Sequence, residues 1–246
     1  MRLLLDLGNT RLKWALAADG EWPARGAVSW DEDVAVALER AWRGLPPPAR
    51  AFGASVVDTA REAQVAGIVA GAFAREVAWL RTPAVACGVR NAYAEPQRLG
   101  VDRFLGMVAA RADGASPCVL AGIGTALTLD ALAADGRHLG GLIAPGPRLM
   151  QQSLLGATAR VRPERPGRVL EAADNTADAV ASGCWQAAVA LVERFAARMA
   201  PGLGGAPQLV VHGGDAAELQ ALLSLPSRHA PDSVLRGLAV WAGQAG

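Results

Sequence analysis

Apolar residues alternate with small or polar ones along Leu12, Trp14 and Leu16, and again along Leu127, Leu129 and Ala131. A period of two buries one face of an extended chain, so each run predicts a strand. A second apolar run precedes each, Leu3–Leu5 in one case and Val119 with Leu120 in the other, and a short glycine-containing turn separates the pair. Both stretches therefore predict a β-hairpin with a small-residue tip, followed by a polar Asp-Gly turn. The two hairpins also match one another. "LLLDLGNTRLKWALAADGE" lies over "VLAGIGTALTLDALAADGR", with Leu7 on Ile123, Gly8 on Gly124 and Asn9 on Thr125. ALAADG is identical at Ala15–Gly20 and Ala131–Gly136. Agreement over a whole hairpin predicts an internal duplication.

Beyond each hairpin the period changes to that of a helix. "DEDVAVALERAW" sets Val34, Leu38 and Trp42 on one face behind acidic residues in the first turn. "LPPPAR" reads as a loop, Ala51–Val57 as a strand, and Thr59–Phe73 and Val101–Ala112 as helices. In the second half Pro147–Leu155 and Asn175–Met199 read as helices. "PQLVVHGGD" reads as a strand ending in a glycine turn, with a helix from Ala216. Leu238 and Trp241 lie on a last helix and suit a core or an interface equally well. Strands alternating with helices predict an α/β protein. The pattern divides into two similar lobes, residues 1–114 and 115–246, facing one another across a cleft.

Composition narrows the function. The chain has 246 residues, 52% of them hydrophobic, enough for a substantial core. Basic and acidic residues number 24 and 23, so there is no charge footprint for nucleic acid or an anionic membrane. No stretch approaches the ~20 apolar residues of a membrane span, and Asp6 interrupts an opening run too short for a signal peptide. Cys87, Cys118 and Cys184 are widely spaced without a C-x-x-C pair. They fit a reduced cytoplasm and argue against a zinc site or a disulfide framework. His138, His212 and His229 lack metal-ligand spacing and read as surface or packing residues.

The hairpin tips carry the chemistry. In "DLGNT" Asp6 ends a strand and can hold Mg²⁺ through oxygen, directly or through water. Gly8 lets backbone N–H groups approach an anion, Asn9 and Thr10 offer hydrogen bonds, and Lys13 can reach a phosphate as a point charge. "GIGTALTLD" repeats the plan with Gly122, Gly124 and Thr125. Two such tips would clamp a polyphosphate; read alone, each is equally an ordinary tight turn. "GIGTAL" lacks the third glycine of a dinucleotide fingerprint and runs on into a strand pattern, and no Walker A sequence is present.

A D-x-G-N-T hairpin, a G-T-A-x-T-x-D hairpin and a later strand ending in G-G-D resemble the nucleotide-binding plan of the actin-like ATPase superfamily. Within it, "EPQRLGVDR", "GTALTLD", "GGLIAPGPRLMQQSL" and "NTADAVASG" resemble the type III pantothenate kinase family, in order, from about Leu4 to Asp215. The resemblance implies two ribonuclease-H-like lobes around a nucleotide cleft. It also implies ATP- and Mg²⁺-dependent phosphorylation of pantothenate, the first step of coenzyme A biosynthesis, by a cytoplasmic homodimer.

By the same resemblance Asp6, Leu7, Gly8, Asn9, Thr10, Arg11, Leu12 and Lys13, with Thr125, Gly213 and Gly214, bind ATP and its phosphates. Asp6 is implied as the Mg²⁺ residue, with Asp130 a second metal or water ligand. Tyr93, Gly100, Val101, Asp102, Arg103 and Thr176 bind pantothenate, Thr176 across the dimer interface, and Asp102 is the catalytic base. Read from the residues alone, Asp102 is as well a helix cap, Tyr93 a packing residue, and Asn175 or Thr176 an N-cap. One position departs from the family pattern. Many members carry D-x-G-T at the second hairpin, the aspartate binding an activating monovalent cation, and here that position is Gly122. The expectation is weak or no activation by K⁺ or NH₄⁺, the ion being absent or held by carbonyls and Asp130. Other enzyme and non-enzyme readings are a related sugar or small-molecule kinase, or an accessory protein that keeps the nucleotide fold.

Overall fold

The computed structural model describes residues 1–18, 20–159 and 161–244, so Asp19, in the first copy of the repeated hexapeptide, lies outside the described residues. The chain forms two compact units, Met1–Gly114 with the segment from Ser233 onward, and Ala115–Asp232. The duplication read from the hairpins extends to whole sheets.

In the first unit β1 (Arg2–Leu7), β2 (Arg11–Ala18) and β3 (Glu21–Ser29) run as an antiparallel meander. After α1 (Val34–Trp42), β4 (Arg50–Ser55) pairs parallel with β1. After α2 (Thr59–Phe73), β5 (Val77–Leu80) pairs parallel with β4. The sheet order is β3-β2-β1-β4-β5. A two-stranded ribbon, β6 (Val85–Ala86) with β7 (Val89–Arg90), and a short 3-10 turn at Pro96–Arg98 lead into α3 (Val101–Ala112).

The second unit repeats this with β8 (Cys118–Ile123), β9 (Ala126–Leu132) and β10 (His138–Pro145) as the meander. There follow α4 (Pro147–Ala157), α5 (Thr176–Leu203), β11 (Gln208–His212), α6 (Ala216–Leu222) and β12 (Ser227–His229). The order β10-β9-β8-β11-β12 matches the first sheet strand for strand, with β8, β11 and β12 parallel. Among the described residues no helix is long and apolar enough to cross a membrane.

Burial explains why the first strands are so apolar. Leu3, Leu5 and Leu7 on one face of β1 pack with Trp14, Leu38 and Trp42, while Leu4 on the other face packs with Phe52, Leu105 and Leu238. Both faces are covered, so the run is nearly continuous. Local signals set the helix starts: Asp33 accepts from the Val36 N–H at 3.2 Å and Asp58 from the Arg61 N–H at 2.8 Å.

The last helix, α7 (Ser233–Gln244), packs within the first unit, whereas the hydrophobic pattern carried the second lobe through residue 246. Gly237 is the reason for the fit. A Cβ there would overlap the Leu105 carbonyl oxygen, so glycine lets α7 lie directly on the backbone of α3. Leu238 is fully buried and Trp241 meets Phe52 edge-on at 5.8 Å between ring centroids. These side chains serve the core of that unit.

Candidate active site

The first hairpin presents a polar tip on an apolar stem. Asp6 and Lys13 are register partners across β1 and β2, so their side chains emerge on the same face. Leu7 and Leu12, expected among the phosphate contacts, have fully buried side chains in the core and offer only backbone there. Asn9, Thr10 and Arg11 are exposed, and the Gly8 N–H donates to the Arg11 carbonyl at 3.2 Å.

Trp30, which has no motif to mark it, fastens the tip. Its indole Nε1 donates to the Gly8 carbonyl at 2.7 Å and its backbone N–H to Thr10 O at 3.3 Å. The Arg61 guanidinium covers its ring at 5.0 Å. A hydrogen bond of this kind is worth about 1 kcal/mol. Trp30→Phe keeps an aromatic ring and removes the donor, so the expected result is an ATP KM raised about fivefold with kcat within twofold of wild type. Steady-state kinetics at varied ATP checks this.

The second hairpin is held from two sides. Thr125 is exposed, and its carbonyl accepts from the Gly146 N–H at 2.9 Å. A Cβ at Gly146 would overlap Gly124 O, so that close approach requires glycine. From the other side Gly213 turns with φ +105°, and the Asp215 N–H donates to Ile123 O at 3.3 Å. The Gly213–Asp215 turn at the end of β11 thus lies against the hairpin tip. Asp215 itself accepts from Arg148 Nε at 3.0 Å. Gly214 is exposed, with open space where a Cβ would stand.

Asp130 stands apart from the tip. Its buried carboxylate lies 2.8 Å from His138 Nε2 in the body of the sheet, in register with Leu120 and Gly141. For the residue expected as a second metal or water ligand, the structure thus shows a buried imidazole as the neighbour of its carboxylate. Among the described residues no three His, Cys, Asp or Glu side chains cluster for a metal.

The register also sets Thr128, Gly122 and His212 in one row across β9, β8 and β11. A Cβ at Gly122 would fall 2.7 Å from Thr128 Oγ1 and 2.8 Å from His212 Cε1. An aspartate there would require both side chains to shift, and the glycine present offers no carboxylate to a monovalent cation.

In the first unit a loop brings the expected acceptor-site residues together at the start of α3. Asn91 organises it: its N–H donates to Ala84 O at 2.9 Å, its Nδ2 to Pro96 O at 3.0 Å, and its Oδ1 accepts from the Tyr93 N–H at 2.9 Å. Thr82 Oγ1 donates to Leu99 O at 2.7 Å and pins the entry to the helix. Gly100 is the N-cap residue and supplies no side chain. Asp102 is therefore not the cap. It sits in the first helical turn, its Oδ1 accepting from the Arg103 N–H at 2.8 Å.

Arg103 is buried, its Nη1 donating to Tyr93 Oη at 3.2 Å. A buried guanidinium beside a phenol at a helix N-terminus is a chemistry able to hold an anion. Neither Asn91 nor Thr82 belongs to a motif. Their only sequence signal is a polar residue inside a Gly/Pro-containing loop.

Thr176 is exposed in the first turn of α5, in the second unit. Of the two candidate caps the structure selects Asn175, whose Oδ1 accepts from the Asp178 N–H at 3.0 Å. Asp178 is buried and binds Arg165 Nη1 at 2.9 Å, the Arg168 N–H at 2.8 Å and Asn175 Nδ2 at 2.9 Å. The Arg165 hydrogen bonds, then Asn175 and the Arg168 amide, hold its carboxyl well below the usual carboxylate range. This ionised anchor sets the segment that leads into Thr176.

The family model of type III pantothenate kinase matches residues 2–198. A type III pantothenate kinase of Laribacter hongkongensis is 44% identical over 97% of both chains, and one of Aromatoleum aromaticum is 39% identical over 98% of both. Among solved structures, a ROK hexokinase of Thermus thermophilus superposes with a TM-score of 0.53 at 16% identity, covering 99% of each chain. That likeness is one of fold, the two-sheet architecture of actin-like ATPases and sugar kinases.

Proposed function

The chain belongs to the type III pantothenate kinase family and phosphorylates pantothenate with ATP, the first step of coenzyme A biosynthesis, and we propose that Asp102 is the base of that transfer. The observation that carries this assignment is the convergence at the start of α3. Tyr93 and buried Arg103 touch, and Asp102 lies in the same first turn.

In this reading Arg103, Tyr93 and the backbone of Gly100 and Val101 hold pantothenate, the guanidinium facing its carboxylate or the transferred phosphate. Asp102 accepts the proton of the terminal hydroxyl. A carboxylate is a weak base for an alcohol. Phosphoryl transfer has a loose transition state, so positioning and charge carry most of the catalysis and the proton is taken late. Residues 6–13 and 124–125 line the phosphates, Thr125 with its hydroxyl and Lys13 with its charge, while Gly213 and Gly214 adjoin the adenosine.

Mg²⁺ binds through one or two carboxylates together with phosphate and water oxygens, and half-buried Asp6 at the end of β1 suits that donor set. When bound, the ion neutralises phosphate charge. The active form is proposed to be a cytoplasmic homodimer with Thr176 reaching the partner's pantothenate. Exposed Leu142 and Ile143 on edge strand β10 support an interface, as an unpaired apolar edge does.

The test is ADP release with MgATP and each of pantothenate, a hexose and no acceptor. Release at least tenfold above background with pantothenate alone is expected. Release driven by the hexose and not by pantothenate would overturn the substrate assignment.

A further inference from the structure

The row Thr128–Gly122–His212 lies directly beneath two features of the proposed nucleotide site. Gly122 is two residues before the Gly124–Thr125 tip, and His212 immediately precedes the Gly213–Gly214 turn. Glycine at the middle of a row leaves a gap that its neighbours fill. Here the His212 ring leans in from β11, with Cε1 at 2.8 Å and Nε2 at 3.0 Å from where a Cβ would stand, and Thr128 Oγ1 closes from β9 at 2.7 Å. The space that a D-x-G-T hairpin gives to a carboxylate and its ion is taken by an imidazole and a hydroxyl. An imidazole carries an N–H donor in either tautomer and a positive charge when protonated. It therefore offers a phosphate-side loop a fixed N–H donor without a bound ion.

We propose that His212 is a positioning residue that replaces the monovalent cation: its ring supports the phosphate-binding turns from beneath, so nucleotide binding and turnover are independent of K⁺. The proposal rests on the kinase reading for its turnover arm and stands without it for its binding arm. The exchange is coupled, because glycine at 122 makes room for the ring and an aspartate at 122 requires the ring to leave. Sequence spacing could not pair these positions, which are brought side by side only by the parallel register of β8 and β11.

The experiment measures MgADP affinity by calorimetry, and pantothenate-dependent ADP release, in 100 mM tetramethylammonium chloride and in 100 mM KCl. Wild type is expected to differ by less than twofold between the salts. His212→Ala is expected to bind MgADP about tenfold more weakly than wild type in tetramethylammonium. The double variant Gly122→Asp, His212→Ala is expected to gain at least fivefold in affinity on exchange to K⁺. A purely structural role for His212 moves none of these salt responses.

Wild type activated fivefold or more by K⁺ would overturn the proposal. So would a folded double variant indifferent to K⁺, or His212→Ala with wild-type affinity. If the alanine variant does not fold, His212→Gln, which keeps an N–H donor on a similar reach, is expected to retain K⁺ independence; K⁺ activation in it counts against the proposal. Wild type that binds MgADP without turning over pantothenate refutes the kinase reading, and the binding arm still decides His212.

Discussion

Replacing Asp102 by Asn lowers kcat for pantothenate-dependent ADP release by about 10²–10⁴-fold, the usual worth of a general base. The substitution isolates the chemistry because of how Asp102 is held. The Arg103 N–H donates to Asp102 Oδ1 at 2.8 Å, and the amide oxygen of Asn accepts that hydrogen bond in the same place. The N-cap position belongs to Gly100, so helix initiation does not depend on the carboxylate. KM for pantothenate and the melting temperature are therefore expected to stay near wild type, with the loss confined to kcat. Single-turnover ADP formation at saturating substrates checks it. A kcat within tenfold of wild type would remove Asp102 from the role of base and leave transition-state charge, supplied by Arg103 and the phosphate loops, as the main contributor.

Gly213→Ala has the second largest expected effect, and its neighbour provides the comparison. Gly213 adopts φ +105°, a region that L side chains rarely adopt, and a Cβ there would overlap the Ile123 carbonyl oxygen. The strain and the overlap cannot both be relieved in place, because Ile123 O also accepts from the Asp215 N–H. The Gly213–Asp215 turn must move away from the hairpin tip. A displacement of about 1 Å in a positioning element costs about 10²-fold in kcat/KM. The expected result is a loss of that order at limiting ATP with a folded chain of lowered melting temperature. Gly214 meets nothing within 4 Å and has no such φ, so Gly214→Ala is expected to keep the wild-type melting temperature. Equal melting temperatures for the two variants would refute the argument from backbone geometry.

The same contrast runs through the whole chain. Whatever depends on neighbours a few residues away was legible without a structure. Alternation predicted the β1–β2 and β8–β9 hairpins, and helical spacing after Gly100 predicted α3 with the bounds observed, Val101–Ala112. A residue-by-residue match of two hairpins predicted duplication, which the sheets carry to identical strand order. The proposed acceptor-site residues share a place for the same reason: Gly100, Val101, Asp102 and Arg103 are consecutive, and the first turn of α3 gathers them.

What the sequence could not determine is which distant segments pay out their apolar faces to one another. The assignment of α7 to the first unit turns on the absence of a side chain at Gly237 against Leu105 O. The hold on the first hairpin tip comes from Trp30, and on the second from Gly146 and Gly213, all outside their hairpins. Asp130 shows the limit most clearly. It was expected as a metal or water ligand at the end of the second hairpin, and only the β9–β10 pairing shows that its carboxylate meets His138. His212 likewise had the spacing of no metal site, and the register alone lays its ring in the gap left by Gly122. Periodicity records the side each residue faces; only the packed sheets decide which residue faces it.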